Sequence, residues 1–196
     1  YTRMIVAYSV AFDNNSVLGI TNCFLNLLDD KQELCNRFGI QIGANEWPSK
    51  ILPLRLRSDY GAEYISHAMD TICCKLGVAK ELVSPATGSL KGQVEQLFHQ
   101  IHAAQNSLLE GKGLIEKRYD SNHHQEATLN IQEFEAVLLT YIVGHNRKYM
   151  EKYPLTKDMR QQNVEPCPID LWKYGVSLNG SPRPITNEVM FRHSLL

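Results

Sequence analysis

The chain has 196 residues, of which 43% are hydrophobic and 21% are charged, and its formal net charge is −1. This composition excludes a disordered chain and suffices for one globular domain and the beginning of a second. No apolar run approaches the roughly 20 residues that a membrane span needs, and residues 1–4 do not resemble a signal peptide. We therefore expect a cytoplasmic protein without a membrane partner.

The first part of the chain predicts a strand, a helix and a second strand. Residues 3–11 are apolar and rich in β-branched and aromatic side chains, which predicts a buried strand. A helix should follow, from a cap at Ser16 to a stop at Gly39. Residues 51–58 alternate Leu with Arg, and this period of two predicts a strand that ends at Asp59.

The same alternation of helix and strand continues after Asp59. A helix should begin at Ala62, end at Gly77 and bury four apolar residues at helical spacing: Ile65, Met69, Ile72 and Leu76. A short strand over 78–83 and a loop over 84–89 should follow. This order of elements indicates an α/β domain.

Two more helices complete the predicted domain, which extends over 1–149. One should run from about Gly92 to Leu109, and the other should cover 131–146. Asn130 and Glu133 precede the latter in the spacing of a capping box. Its inward side chains should be Phe134, Leu138, Tyr141 and Ile142.

The segment 150–196 has a different texture, because proline and glycine recur in it. The residues that interrupt periodicity are Pro154, Pro166, Pro168, Gly175, Gly180, Pro182 and Pro184. We therefore predict a linker with one short helical turn near Asp170–Tyr174, leading into a partial second domain. The five cysteines form no Cys-x-x-Cys pair, which favours reduced, buried thiols over a zinc site.

Two carboxylates are the candidates for catalysis. Asp59 closes the second predicted strand, and carboxylates at the C-terminal ends of strands face the crevice where α/β proteins bind ligands; a turn or helix-capping aspartate is the ordinary alternative. Glu95 lies in the first turn of a helix, a position that also suits the helix dipole. The 35 intervening residues comprise one helix, one strand and one loop, which can bring the start of that helix back beside Asp59.

This pair resembles the second Asp and the Glu of the Asp, Asp-35-Glu signature of retroviral integrases and many bacterial transposases. The flanking residues agree with that family: Asp59-x-Gly61-x-Glu63-Tyr64, Ser84-Pro85 and Lys91-Gly92-x-Val94-Glu95. Further downstream, Asn146 and the stretch Pro168-x-Asp170-Leu171-Trp172 resemble motifs of the TnsB-type transposases, which are relatives of the phage Mu transposase. The resemblance covers nearly the whole chain.

The resemblance implies an RNase H-like mixed sheet flanked by helices, with a small β-barrel as the domain that follows the linker. The first catalytic Asp of the family would lie upstream of Tyr1, so the core should be N-terminally truncated; Asp13 follows the wrong strand to replace it. Asp59, Glu95 and that upstream Asp would hold two Mg²⁺ or Mn²⁺ ions, because phosphodiester transfer needs charge stabilisation on both the attacking and the leaving oxygen.

DNA is the partner that the resemblance implies, and Lys91, Gln93 and His99 are the residues expected to bind it. Lys91 would contact a phosphate or remain solvated. His99, one helical turn after Glu95, belongs to a stripe with His102 and Asn106 that either follows the DNA or forms an ordinary solvated face. Glu63 lies near the metals or simply favours the start of its helix.

The implied function is cutting transposon 3′ ends and joining them to target DNA in a bacterial cytoplasm, at the nucleoid when bound to DNA. Multimers on DNA and an ATPase that selects targets are the implied protein partners. A retroviral-type or insertion-sequence integrase would use the same site, and a non-catalytic DNA-organising or scaffolding protein is the alternative from another class. This chain alone should be inactive, because the first Asp is absent from it.

Overall fold

A computed structural model describes residues 2–12, 16–83, 128–178 and 183–196. The helices are α1 (Val17–Asn26), α2 (Lys31–Arg37), α3 (Ala62–Ile65), α4 (His67–Leu76), α5 (Ile131–Arg147), α6 (Lys157–Gln161), α7 (Pro168–Leu178) and α8 (Glu188–Ser194). The strands are β1 (Ile51–Leu52), β2 (Arg55–Ser58), β3 (Ala79–Leu82) and β4 (Arg183–Pro184). Within these ranges no helix has the length and apolar character needed to cross a membrane.

The chain divides into two compact units, one formed by Tyr1–Ala86 with Val143–Leu196 and the other by Thr87–Ile142. In the second unit, α5 begins with the predicted capping box. The Asn130 amide N–H donates to Glu133 Oε2, and the Glu133 N–H donates to Asn130 Oδ1, both at 2.9 Å. The predicted start of this helix is therefore confirmed.

The predicted strand over 3–11 is wrong, because this segment has no regular secondary structure. Side chains, instead of a neighbouring strand, bond its backbone. Asn146 accepts from the Ile5 N–H and donates to the Ile5 carbonyl, each at 3.0 Å. Asn26 Oδ1 accepts from the Tyr8 N–H at 3.2 Å, and Trp47 Nε1 donates to the carbonyl of Val6 at 3.1 Å. The apolar content of this segment correctly indicated that it is partly buried. It did not indicate which groups form hydrogen bonds with the backbone of the segment.

The helix predicted from Ser16 to Gly39 is interrupted once. Gly39 follows the end at φ +72°, as expected, and Ser16 is the N-cap residue, but its side chain makes no capping hydrogen bond. The chain also leaves the helix between α1 and α2. Asp30 is extended there and accepts hydrogen bonds from the amides of Gln32 and Glu33. A side chain that caps a new helix competes with continuation of the old one, which is why periodicity alone missed the break.

The predicted strand over 51–58 is divided by Pro53 into two strands with different partners. Strand β1 pairs antiparallel with β4, placing Ile51 opposite Pro184. Strand β2 pairs parallel with β3, which confirms the strand predicted over 78–83. Proline has no N–H to donate to a ladder, so the two pieces form separate two-stranded sheets.

Helices α3 and α4 connect β2 to β3. The predicted single helix breaks at Ser66, whose hydroxyl caps α4 by accepting from the Met69 N–H at 3.2 Å. Met69, Ile72 and Leu76 are buried as predicted, whereas Ile65 is 50% exposed because it lies before the break. Gly77 ends α4 at φ +61°, as expected.

One hydrophobic core joins residues from both ends of the first unit. Its members are Phe24, Leu27, Leu28, Leu52, Met69, Ile72, Cys73, Leu76, Val78, Ile185, Phe191 and Leu195. All five cysteines are free thiols, as predicted, but only Cys35, Cys73 and Cys167 are buried, whereas Cys23 is partly buried and Cys74 is exposed. Burial raises the pKa of Cys23, Cys35, Cys73 and Cys167.

The expectation of only one helical turn after residue 150 is wrong, since α6, α7 and α8 occupy much of this segment. The turn predicted near Asp170–Tyr174 lies inside α7, which begins at Pro168, a position where a helix has no use for the N–H that proline lacks. The division into domains over 1–149 and 150–196, and the RNase H-like sheet, remain predictions.

Candidate functional site

Asp59 is the residue that directly follows β2, and its side chain is exposed. Because β2 and β3 are parallel, with Ser58 opposite Leu82, their carboxyl ends lie at the same edge of the sheet. This edge is where α/β proteins place ligand-binding side chains. The structure therefore puts Asp59 where the sequence predicted it, at the end of a strand and before a helix.

A tight turn fixes the backbone after Asp59. Asp59 Oδ1 accepts a hydrogen bond from the Gly61 N–H at 3.2 Å, which is the geometry of an Asx-turn. The Gly61 carbonyl then accepts from the amides of Tyr64 and Ile65 and begins α3. A Cβ atom at Gly61 would lie 2.8–2.9 Å from the carboxylate of Glu63. The carboxylate of Glu63 therefore folds back over Gly61 and would have to move if this residue carried a side chain.

Negative charge concentrates around this turn. The carboxylate of Glu63 folds back against Gly61, whose amide is bonded to Asp59. Burial raises the pKa of the neighbouring Tyr64, and the charges of Glu63, Cys23 and Asp59 raise it further. A second carboxylate therefore lies close to Asp59, in addition to its role at the start of α3.

Two ion pairs hold the surrounding elements in place. Arg57 on β2 and Glu81 on β3 are opposite one another, and Arg57 Nη2 lies 3.0 Å from Glu81 Oε2. Lys80 Nζ donates to the carbonyl of Tyr64 at 3.0 Å and also pairs with Asp70. Lys80 thereby ties the turn after Asp59 to both α4 and β3.

The donor chemistry at Asp59 fits a hard divalent cation. Mg²⁺ and Mn²⁺ prefer carboxylate oxygens, and Asp59 presents an exposed carboxylate on a backbone fixed by its own hydrogen bond. Across 2–12, 16–83, 128–178 and 183–196, no group of three potential metal-binding side chains is found. Asp59 on its own would supply only one ligand, so a metal site here would need others.

The remaining predicted site residues fall outside the described residues. Glu95, Lys91, Gln93 and His99 all belong to this group, as do the predicted loop over 84–89 and the helix from Gly92 to Leu109. Their roles stay predictions, and so does the pairing of Asp59 with Glu95. Asp13, the rejected substitute for the first Asp, also falls outside.

The downstream motif residues contribute to packing and hydrogen bonding. Asn146 is 3% exposed and bonds both backbone groups of Ile5. Its neighbour His145 places Nε2 2.9 Å from the Arg3 carbonyl, and burial lowers the His145 pKa. In α7, Asp170 accepts a hydrogen bond from Cys167 Sγ at 3.4 Å. Trp172 is half-buried, consistent with a packing role.

Sequence reasoning missed a buried lysine. Lys31 is only 2% exposed; its Nζ donates to the Asn26 carbonyl and to Asn26 Oδ1, and lies 5.4 Å from the ring centroid of Trp47. Burial lowers the Lys31 pKa to about 8. A lysine in the first turn of a helix usually indicates a solvated side chain, so no signal in the sequence distinguished it.

Two comparisons with known proteins both find similarity to TnsB. The family described as the TnsB C-terminal domain matches residues 1–111. The transposition protein TnsB of transposon Tn7, from Escherichia coli, is 28% identical over 193 residues. That alignment covers 96% of this chain and 27% of the relative, so the chain spans little more than a quarter of the relative's length.

Proposed function

The chain belongs to the TnsB C-terminal domain family, and on that premise we propose that it is part of a DNA transposase. The proposed reaction is metal-dependent phosphoryl transfer, which cuts transposon 3′ ends and joins them to target DNA. The proposed fold is the RNase H-like core of transposases and retroviral integrases. Family membership supports a role in transposition, and the catalytic assignment rests on the residues around Asp59.

The observation that supports catalysis most directly is the position of Asp59. It lies at the carboxyl end of a parallel strand, in a turn closed by its own side chain, with Gly61 and Glu63 in the family's spacing. The sequence from Lys91 to Glu95 supplies the second half of the proposed signature.

We assign Asp59 and Glu95 as ligands of two Mg²⁺ or Mn²⁺ ions, together with the further carboxylate that the family's signature requires. When bound, such ions stabilise charge on the attacking and leaving oxygens of a phosphodiester. The Gly61 N–H holds the Asp59 carboxylate in one orientation, which reduces the reorganisation needed on binding. Water would attack in cleavage and a 3′-hydroxyl in joining, so no covalent enzyme intermediate is required.

Lys91, Gln93 and His99 are the proposed DNA contacts next to Glu95. Lys and His side chains bind phosphate oxygens through charge, and Gln through hydrogen bonds, which position DNA without reading its sequence. Assembly into multimers on DNA and recruitment of an ATPase that selects targets are further proposals taken from the resemblance. A cytoplasmic location follows from the same reasoning.

Strand transfer by the natural protein that contains this chain tests the proposal. Substrates with a pre-cleaved transposon end isolate the joining step, and Asp59→Asn and Glu95→Gln should each reduce joining by at least a hundredfold. Asp158→Asn is the matched control, because Asp158 is an exposed acidic residue in the first turn of α6. It should retain wild-type activity.

A binding measurement separates loss of metal from loss of folding. Calorimetric titration with Mn²⁺ alone should show binding by the wild-type protein and by Asp158→Asn, and weaker binding by Asp59→Asn with an unchanged melting temperature. Asp59→Cys should lose activity in Mg²⁺ and regain part of it in Mn²⁺, since the softer ion accepts thiolate better. Full joining activity in Asp59→Asn would refute the proposed catalytic function and favour a DNA-organising scaffold.

A further inference from the structure

Tyr60 is a large aromatic residue at the rim of the candidate site. It lies between Asp59 and Gly61 and is 52% exposed. Within the described part of the chain we find no hydrogen bond or ring contact for its side chain. An aromatic side chain normally contributes to stability by being buried, and about half of the Tyr60 side chain remains exposed to solvent at this position.

The turn around Tyr60 restrains the backbone that carries its side chain. The hydrogen bond from the Gly61 N–H to Asp59 Oδ1 closes a small loop with Tyr60 as its middle residue. The Gly61 carbonyl is held in turn by the amides of Tyr64 and Ile65. Both neighbours of Tyr60 are therefore restrained, and the Tyr60 side chain is presented from a backbone of defined conformation.

Distances place Tyr60 within reach of a nucleotide bound at Asp59. Consecutive Cα atoms are about 3.8 Å apart, and successive nucleotides of a DNA strand advance by about 3.4 Å. A phosphate held beside Asp59 through the proposed metal ions would thus have its neighbouring base within the span of a tyrosine side chain. The exposed part of the Tyr60 side chain offers an aromatic surface on which a base can stack.

We propose that Tyr60 stacks on the nucleobase adjacent to the scissile phosphate and holds the DNA end in position for reaction. This inference rests on the proposed function, which supplies the phosphate at Asp59. Every base has a π-face, so the contact tolerates sequence changes and acts on positioning more than on recognition. The ring, and not the hydroxyl, carries the interaction.

The test uses the natural protein that contains this chain and a transposon end with 2-aminopurine next to the cleavage position. Stacking on an aromatic ring quenches this base. Wild-type protein, Tyr60→Phe and Tyr60→Trp should quench it, whereas Tyr60→Ala should restore the fluorescence and reduce joining about tenfold. Tyr149→Ala is the matched control, because Tyr149 is 59% exposed and lies after α5. It should behave as wild type.

The outcomes separate this inference from the proposed function. If Asp59→Asn is inactive and Tyr60→Ala matches Tyr149→Ala in quenching and joining, the stacking is refuted and the enzyme stands. If Asp59→Asn remains fully active, the proposed function fails. Tyr60→Leu keeps apolar bulk without a π-face, so it should resemble Tyr60→Ala; wild-type quenching in Tyr60→Leu would also refute stacking.

Discussion

Asn146 bonds the N-terminal segment much as a neighbouring strand would. Its side-chain amide offers an N–H and a C=O in the arrangement of a peptide group, and both bond to Ile5. Trp47 and Asn26 add one bond each, to Val6 and Tyr8. Buried backbone groups must be paired, and in this segment these three side chains meet that requirement for the residues that they contact.

We expect Asn146→Ala to lower the free energy of unfolding by about 2–3 kcal/mol, because it leaves two half-buried backbone groups of Ile5 without partners. Urea denaturation monitored by circular dichroism measures the loss. Asn36→Ala is the control, since Asn36 is an exposed residue of α2, and it should change stability by less than about 0.5 kcal/mol. Equal effects of the two substitutions would contradict the role of Asn146.

The contribution of Lys31 to the free energy of unfolding depends on pH. Its pKa is about 8 in the folded chain and 10.5 in the unfolded one, so between these values the unfolded chain binds more protons. Stability due to Lys31 therefore rises with pH across this window and is lowest below pH 8. Asp29, Cys35 and Cys23 are the charged or titratable groups that oppose the lowering of its pKa.

Comparison of wild type with Lys31→Met measures this effect. From pH 7.5 to 10.5 the free energy of unfolding of the wild type should rise relative to that of Lys31→Met by a few kcal/mol, about 3 at 1.36 kcal/mol per pKa unit. Cys23 and Cys35 have raised pKa values, which act in the opposite direction, and Lys31→Met also removes the charge that lowers those pKa values. A difference that is flat with pH would show that Lys31 is not desolvated.

At the scale of elements, capping residues decide where helices begin. Asp30, Ser66, Thr156 and Asn187 each accept a hydrogen bond from an amide of the first turn that follows. These bonds pair donors that a helix start leaves unsatisfied. Two of these residues, Asp30 and Ser66, start a new helix within a stretch that reads as continuous, which explains both helix breaks that periodicity missed.

Gly77 provides a test of a helix end. Its φ of +61° is unfavourable for a residue with a Cβ, and that Cβ would lie 3.3 Å from Arg183 Nη2. Arg183 in turn donates to the carbonyls of Gly77 and Leu76. We expect Gly77→Ala to destabilise the protein by about 1–2 kcal/mol in urea denaturation.

Gly19 is the matched control for Gly77. It lies inside α1 with no described heavy atom within 4 Å of an added Cβ. Gly19→Ala should stabilise the protein by up to about 1 kcal/mol, because alanine favours the helix. Effects of the same sign for the two substitutions would contradict the assigned backbone conformations.

At the scale of the whole molecule, the C-terminal residues complete the core of the first unit. Ile185, Phe191 and Leu195 pack in the same cluster as Phe24 and Met69. Strand β4 adds a pairing with β1, and Lys50 Nζ lies 2.7 Å from Glu188 Oε1. The exposed ion pair contributes little, so burial of apolar side chains is the main contribution of this segment.

We expect Phe191→Ala to cost about 3–5 kcal/mol, because Phe191 is buried in this cluster. Val189→Ala, two residues earlier in α8 and exposed, should have almost no effect. Thermal denaturation of the two variants is a sufficient comparison. Similar melting temperatures would contradict the docking of the C-terminal segment on the core.

Local signals predicted some features of the fold well. The capping box at Asn130 and Glu133, the stops at Gly39 and Gly77, and the strand before Asp59 all depend on residues close in sequence. Pairing could not be read in the same way. The partner of β1 is β4, more than 130 positions away, and the partners of Ile5 are the amide atoms of Asn146.

Residue types and short spacings were enough to predict the candidate chemistry and the place of Asp59 at the end of a strand. Which polar groups are buried, and which partners bond them, became known only from the folded chain. Lys31 and Asn146 are polar residues that a local pattern assigns to solvent, yet both are buried. Lys31 bonds to Asn26, which is near in sequence, and Asn146 bonds to Ile5, which is distant. Burial is set by contacts between segments far apart in sequence, and local periodicity carries no information about those contacts.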